Sequence, residues 1–316
     1  MKISVVIPAY NASATIDAAI ESVLGQARPA DEIIVLDDGS TDDTGERMRK
    51  YGSAITVFTQ ANRGLAQARN VLCARAGGDV VSFLDSDDVW HPDYLRIQCP
   101  LFERYPNASA YFAGHITFHE TAKLHWSIPM EPAAEQVIQP IDFLKLYNRA
   151  PGNFFPSFCS LNKAVLKEMG PEPFPPIFRR AEDFWLMNSL PLHDRPVVFQ
   201  GAPVAAYRLT PGSLGSNRIE NMGLALKACE MLAKRYDVRP DLAPDFYEAY
   251  ASLRRSYGKL LMGDKRTREA RTEIGSSLHV GRSLLSAIKS SMLMSLTYLP
   301  ASLQPKWPSP RRAIEN

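Results

Sequence analysis

Asp85, Asp87 and Asp88 stand together in Phe83-Leu84-Asp85-Ser86-Asp87-Asp88, at the end of an apolar run that starts at Val80. Carboxylates this close repel and raise one another's proton affinity. A chain keeps such a cluster where a cation or several donors neutralise it. Hard divalent cations such as Mg²⁺ and Mn²⁺ suit it, because they take one or two protein carboxylates and complete their shell with phosphate oxygens and water. Part of the cluster has a structural alternative, since an acid ahead of His91-Pro92-Asp93-Tyr94-Leu95 fits the start of a helix. We assign that role to Asp88 and ligand binding to Asp85 and Asp87. A second acid pair, Glu182-Asp183, precedes Phe184-Trp185-Leu186. It reads equally as the acidic first turn of a helix or as a proton acceptor in a site.

The elements that must position these residues follow from periodicity. Ile3 to Ile7 is a β-branched strand, and Ile16, Ala19, Ile20, Val23 and Leu24 recur at helical spacing. Glu32 to Leu36 forms a second strand ending in Asp37-Asp38-Gly39-Ser40, followed by a polar helix that Thr41 or Asp42 can cap. Ile55 to Phe58, Leu65 to Ala76 and Val80 to Leu84 continue as strand, helix and strand. This alternation predicts an α/β fold with a mostly parallel sheet covered by helices on both faces. Ligands of such sheets bind beyond the carboxyl ends of the strands. Tyr10-Asn11, Asp37-Asp38 and Asp85-Ser86-Asp87 all fall at those ends and should line one crevice.

Composition sets outer bounds. The 316 residues carry 36 Lys and Arg against 34 Asp and Glu, so net charge does not call for a nucleic-acid partner. Four scattered cysteines without a CxxC pair fit reduced thiols in the cytoplasm. Neither the start, Met1 to Pro8, nor the apolar stretch Leu284 to Leu299 reads as a signal peptide or a membrane span. The chain has no GxGxxG after its first strand, no GxxxxGK[ST] and no GxSxG, which excludes a dinucleotide fingerprint, a P-loop and a nucleophile elbow.

Four segments taken in order, Val5-Val6-Ile7-Pro8-Ala9-Tyr10-Asn11, Val35-Leu36-Asp37-Asp38-Gly39-Ser40-Thr41-Asp42, Asn62-Arg63-Gly64-Leu65-Ala66-Gln67-Ala68-Arg69-Asn70 and Phe83 to Asp88, resemble family 2 glycosyltransferases of the GT-A fold. A weaker resemblance continues at Ala181 to Leu186 and Tyr207 to Ser213. The resemblance implies that Pro8, Tyr10, Asn11 and Asp38 hold a nucleotide base and ribose, with Arg69 near the nucleotide or its phosphates. The chemistry agrees, since Tyr10 can stack, Asp38 can accept an imide N–H, and Arg69 presents a planar fork to anionic oxygens. Asp85-Ser86-Asp87 matches the family's DxD motif, its first acid on the ribose and Asp87 on the metal. Asp183 becomes the general base and Glu182 its partner on the substrate side. The implied reaction is an inverting transfer of a single sugar from a nucleotide-diphosphate donor to a hydroxyl of a glycan or lipid-linked acceptor, with Mn²⁺ or Mg²⁺. Thr210 departs from the family, whose members often place there a histidine that helps hold metal or diphosphate; either Asp87 and water suffice, or His115, His119 or another residue substitutes, or the metal is held loosely. The processive QxxRW signature is missing.

We divide the chain into a catalytic domain, 1–217, with a nucleotide half to about residue 96 and an acceptor half beyond, and a helical C-terminal extension, 218–316. Arg254, Arg255, Lys259, Lys265, Arg266, Arg268, Arg271 and Arg282 make the extension basic. Such a face is either simply solvated or drawn to anionic lipid at the inner leaflet, where Trp307, Lys306, Arg311 and Arg312 suit an interface. Two other readings compete. A sugar nucleotidyltransferase could share the sheet, although its glycine-rich, Arg-containing N-terminal loop is missing, and a carbohydrate- or nucleotide-binding relative could have lost turnover.

Overall fold

A computed structural model describes residues 1–119, 124, 126, 134–150, 154–209 and 217–308. Thr210, Arg311 and Arg312 lie outside the described residues. The chain divides into two units, Met1–Thr210 and Pro211–Asn316.

In the first unit the chain runs β1 (Ile3–Ala9), α1 (Ile16–Leu24), β2 (Glu32–Asp37), α2 (Thr44–Arg49), β3 (Thr56–Thr59), α3 (Leu65–Arg75) and β4 (Val80–Phe83). It continues through β5 (Val89–Trp90), α4 (Tyr94–Arg104), β6 (Ala110–His119), β7 (Glu135–Ile138), α5 (Pro140–Arg149), β8 (Cys159–Asn162), α6 (Lys163–Glu168), α7 (Glu182–Ser189) and β9 (Val197–Leu209). These nine strands form one sheet in the order β3-β2-β1-β4-β8-β6-β9-β5, with β7 also paired to β9. The first four strands are mutually parallel, as their alternation with helices requires. Beyond β4 the pairing is mixed, because β8 runs antiparallel to both β4 and β6 while β6 and β9 are parallel.

Every residue of β1 is buried, since the sheet is covered on both faces. Val5 and Ile7 point into one core with Ile16, Ala19 and Ile20 of α1 and with Tyr94 and Leu95 of α4. Val6 points into the other, with Leu72 of α3, Phe143 of α5 and Leu186 of α7. Each such aliphatic or aromatic side chain contributes about 1.5–3 kcal/mol on burial. The chain from Asp88 to Asp93 departs from the sequence reading. Asp88 does not cap α4, whose first turn follows Asp93. Between them lies β5, which pairs antiparallel with β9, and the Asp88 carboxylate accepts the Arg208 N–H at 2.8 Å.

At Gly114 the β6–β9 register shifts, and a Cβ there would lie 2.5 Å from the Gly201 carbonyl oxygen. Gly114→Ala is therefore expected to cost about 1–3 kcal/mol through forced backbone displacement. The urea midpoint measures this, and an unchanged midpoint would mean the strands can separate freely there.

The second unit contains α8 (Arg218–Asp237), α9 (Ala243–Gly263), α10 (Thr267–Val280) and α11 (Leu284–Leu296). Tyr236 stacks on Phe246 at 3.9 Å, and Leu261, Met262 and Ala270 pack with Ile219 and Trp307. Several arginines of its basic face have acidic partners inside the bundle: Arg254 pairs with Glu230 and Glu273, Arg255 with Glu248, and Arg266 with Glu269. Among the described residues no helix is long and apolar enough to cross a membrane.

Candidate active site

The parallel register aligns the ends of β1 and β2. Ala9 lies opposite Asp37, and the Asp38 N–H donates to the Ala9 carbonyl at 2.8 Å, so the segments after β1 and β2 leave the sheet side by side. Pro8 is buried in β1 beyond the last β1–β4 pair, Val6 with Phe83, where its missing N–H costs no ladder bond. Tyr10 is half exposed, its ring open to stacking. Asn11, at φ 48°, ties the two segments together: its Oδ1 accepts the Thr41 N–H at 2.8 Å, and its own N–H donates to Ser40 Oγ at 3.0 Å.

Asp38 is buried and already engaged. Its Oδ1 accepts from Gln60 Nε2 at 2.7 Å and the Arg63 N–H at 3.0 Å, and its Oδ2 accepts the Gly64 N–H at 2.8 Å. The carboxylate thus fixes the 60–64 turn against the end of β2. Gly39 makes that approach sterically feasible, at φ +78° with the Asn62 nitrogen only 2.7 Å from where a Cβ would sit.

Arg69, on α3, is fully buried and bridges two acids. Its Nη2 donates to Asp85 Oδ1 at 2.6 Å, and its Nη1 donates to Glu182 Oε1 in the first turn of α7. The guanidinium thus locks the end of β4 to the start of α7. This places both nitrogens of its fork on protein carboxylates. Removing the buried cation leaves the buried Glu182 and the half-buried Asp85 carboxylates uncompensated, so Arg69→Met is expected to cost about 3 kcal/mol or more. Chemical denaturation reads it, and a loss below about 1 kcal/mol would show the acids to be solvated.

Asp183, next to Glu182, is half-buried, and its Oδ1 accepts the Phe184 N–H at 2.7 Å. Burial raises its pKa above the ordinary carboxylate range and Asp85 adds to the rise, while the Phe184 amide and Arg69 pull it back. Burial likewise pushes Glu182 up, and Arg69 opposes the shift.

Asp85, Ser86 and Asp87 are half-buried and Asp88 is buried. Burial, reinforced by Asp85, pushes the Asp87 carboxyl up to about 6. Asp88 is raised well above the ordinary range by burial and by Asp87 and Asp85, which the Arg208 amide and the Ser157 hydroxyl offset only in part. Its Oδ2 meets no donor at hydrogen-bond geometry among the described residues. The crowded carboxylates of Asp85 and Asp87, both only half-buried, are of the chemistry that suits a divalent cation. No group of three or more metal-ligating side chains occurs among the described residues; hard divalent cations ordinarily complete a shell of one or two carboxylates with phosphate oxygens and water. Of the candidate substitutes for Thr210, His115 stacks on Phe158 at 4.9 Å, and burial lowers its pKa. His91 belongs to the start of α4, its Nδ1 accepting the Asp93 N–H at 3.0 Å.

One feature was not singled out from sequence. Phe155 and Tyr207 stack at 4.8 Å, and Phe158 meets both edge-on. Ser157, between Phe155 and Phe158 in the chain, accepts the Asp85 N–H on its Oγ at 2.9 Å, which ties this aromatic wall to the acids, and burial together with Asp88, Asp87, Asp85 and Asp183 pushes the Tyr207 hydroxyl up to about 12. The aromatic run Phe154-Phe155 with Phe158 was the available signal, but core packing accounts for such residues equally well.

The sheet, its acid-lined carboxyl edge and the covering helices constitute the GT-A architecture. Residues 4–170, more than half of the chain, match the family model described as Glycosyl transferase family 2, and the chain belongs to that family. It is similar to the UDP-Glc:alpha-D-GlcNAc-diphosphoundecaprenol beta-1,3-glucosyltransferase WfgD of Escherichia coli, 30% identical over 70% of this chain and 82% of that one. Among solved structures, S. aureus TarS 1-349 superposes with a TM-score of 0.66 at 20% identity, covering 94% of this chain and 89% of that one. The mannosyltransferase PcManGT of Pyrobaculum calidifontis, solved with GDP-Man and Mn2+, gives 0.56 at 18% identity over 94% and 81%. The matches span only 19% of the length of an uncharacterized glycosyltransferase of Rickettsia conorii and 31% of GlyA from Streptococcus pneumoniae.

Proposed function

We propose that the chain is an inverting, metal-dependent glycosyltransferase that moves a single sugar from a nucleotide-diphosphate donor to a hydroxyl of a glycan or lipid-linked acceptor. The observation that carries this reading is the buried Arg69 bridge, which holds Asp85 of the acid cluster and Glu182, the neighbour of Asp183, on one guanidinium. Tyr10 stacks the base, Asn11 and Asp38 shape the loops around the nucleoside, and Asp85 and Ser86 face the ribose and diphosphate. Arg69 acts through Asp85 and Glu182, whose charges it sets. Asp87 holds the divalent cation, which when bound offsets the negative charge building on the leaving diphosphate. Asp183, its proton affinity raised by burial, takes the proton from the attacking acceptor hydroxyl. Attack from the side opposite the leaving diphosphate inverts the anomeric carbon.

Residues 1–96 serve the donor, 97–217 the acceptor and 218–316 form the helical extension. Phe155 and Tyr207, both part-exposed and backed by the buried Phe158, supply a stacking surface for an acceptor ring. WfgD's name specifies a diphosphoundecaprenol-linked acceptor, and TarS has been solved with UDP-GlcNAc. PcManGT was solved with Mn2+. By analogy this chain works in cell-envelope polysaccharide assembly, in the cytoplasm at the inner membrane face. The proton NMR coupling of the product tests the stereochemistry: an α-linked donor should yield a β-linked product, and an α-linked product would refute inversion.

A further inference from the structure

α11 buries two serines and exposes most of its aliphatic side chains. An ordinary surface helix buries its aliphatic residues and exposes its serines. Here Ser286 and Ser290 are fully buried, and so is Thr297 just past the helix end. They are held by hydrogen bonds: Arg255 Nη1 donates to Ser286 Oγ at 2.8 Å, Ser277 Oγ donates to Ser290 Oγ at 2.8 Å, and Arg271 Nη2 donates to the Thr297 carbonyl at 2.8 Å. The opposite face carries Leu284, 79% exposed, Leu285 at 58%, Ile288 at 47% and Met292 at 66%. With Leu296, these residues span an arc of about 120° at 3.6 residues per turn. Tyr298 and Leu303, both about two-thirds exposed, extend the surface beyond the helix. Ser286 and Ser290 are thus fixed inward by a buried network beside Leu293, and the exposed arc, apolar except for Ser295, is left for another phase.

The charge around this face selects the phase. No Asp or Glu occurs from Ile274 to Ile314, whereas Arg282, Lys289 and Lys306 are exposed along it. Arg282 pairs with Asp237 at 2.9 Å, and Arg271 covers the Tyr298 ring at 3.8 Å. Two copies meeting across this face about a two-fold axis would bring like charges together. An anionic bilayer satisfies both parts, accepting the apolar arc among its acyl chains and the cations at its headgroups.

We propose that α11 is a membrane-docking helix, lying in the plane of an anionic bilayer with Leu284, Leu285, Ile288 and Met292 inserted. The charge that steers it comes from Lys289 and Lys306, since Arg254, Arg255, Arg266 and Arg282 are engaged within the bundle. Docking of this kind is independent of the sugar-transfer reading.

The test is sedimentation of the full chain with vesicles of pure phosphatidylcholine or of equal parts phosphatidylcholine and phosphatidylglycerol. The wild type should bind the anionic vesicles about tenfold or more tightly than the neutral ones, with affinity falling as salt rises. Leu285→Glu with Met292→Glu should lower the anionic affinity by about tenfold or more, at unchanged melting temperature and molar mass. Lys289→Glu, which keeps the apolar arc, should lower it several-fold. Equal binding to both vesicle types overturns the proposal. So does undiminished binding by the variants, or a wild-type dimer that ignores vesicles and is dissociated by the double substitution.

Discussion

Asp183→Asn is expected to lower turnover by roughly 10² to 10⁴, the range for loss of a general base, while donor affinity stays within about twofold of wild type. The amide oxygen can still accept the Phe184 N–H, so the first turn of α7 keeps its geometry. What the amide cannot do is take a proton. Burial raises the pKa of Asp183, so its charged form is disfavoured in the fold and the neutral substitution should leave stability intact. The wild-type rate should fall on the acid side at a pH above the ordinary carboxylate pKa of 3.8, and that limb should flatten in the variant. Initial rates at saturating donor across pH measure both. Near-normal turnover in the variant would move the base elsewhere.

Asp87→Ala is expected to abolish metal-dependent donor binding without unfolding the chain. With its pKa pushed up to about 6, Asp87 is charged near pH 7 at a cost to the folded state, and Asp85 and Asp88 share in the repulsion. The sign follows from linkage: a carboxyl whose folded pKa is raised loses stability as pH climbs through that value. Removing the charge should therefore leave the melting temperature equal or higher. Titration calorimetry with Mn²⁺ and nucleoside diphosphate should show the metal-dependent heat vanish, and an unchanged Mn²⁺ dependence would take Asp87 out of the metal site.

The α/β alternation of the first 95 residues could be read directly, because β1 and β4, buried on both faces, leave largely apolar runs and α1 keeps a 3.6-residue stripe. That the segments after β1, β2 and β4 leave the same edge of the sheet followed from parallel pairing alone. The Arg69–Glu182 pair did not, since 113 positions separate the partners and no local pattern encodes a contact between α3 and α7. Asp88 looked like a helix cap because β5 is two residues long, below the length at which strand periodicity can be recognised. The serines of α11 read as interruptions of an apolar stretch. Their burial depends on Arg255 and Ser277, which reach them from other helices.

Release of nucleoside diphosphate from a panel of nucleotide sugars, with and without Mn²⁺ and with a diphosphopolyprenol-linked sugar as acceptor, tests the central claim most directly. One donor should be consumed, only with the divalent cation present and faster when the acceptor is added. If every donor survives under all conditions while a nucleotide or saccharide still binds, the chain recognises its ligand without turning it over, and the transferase reading is contradicted.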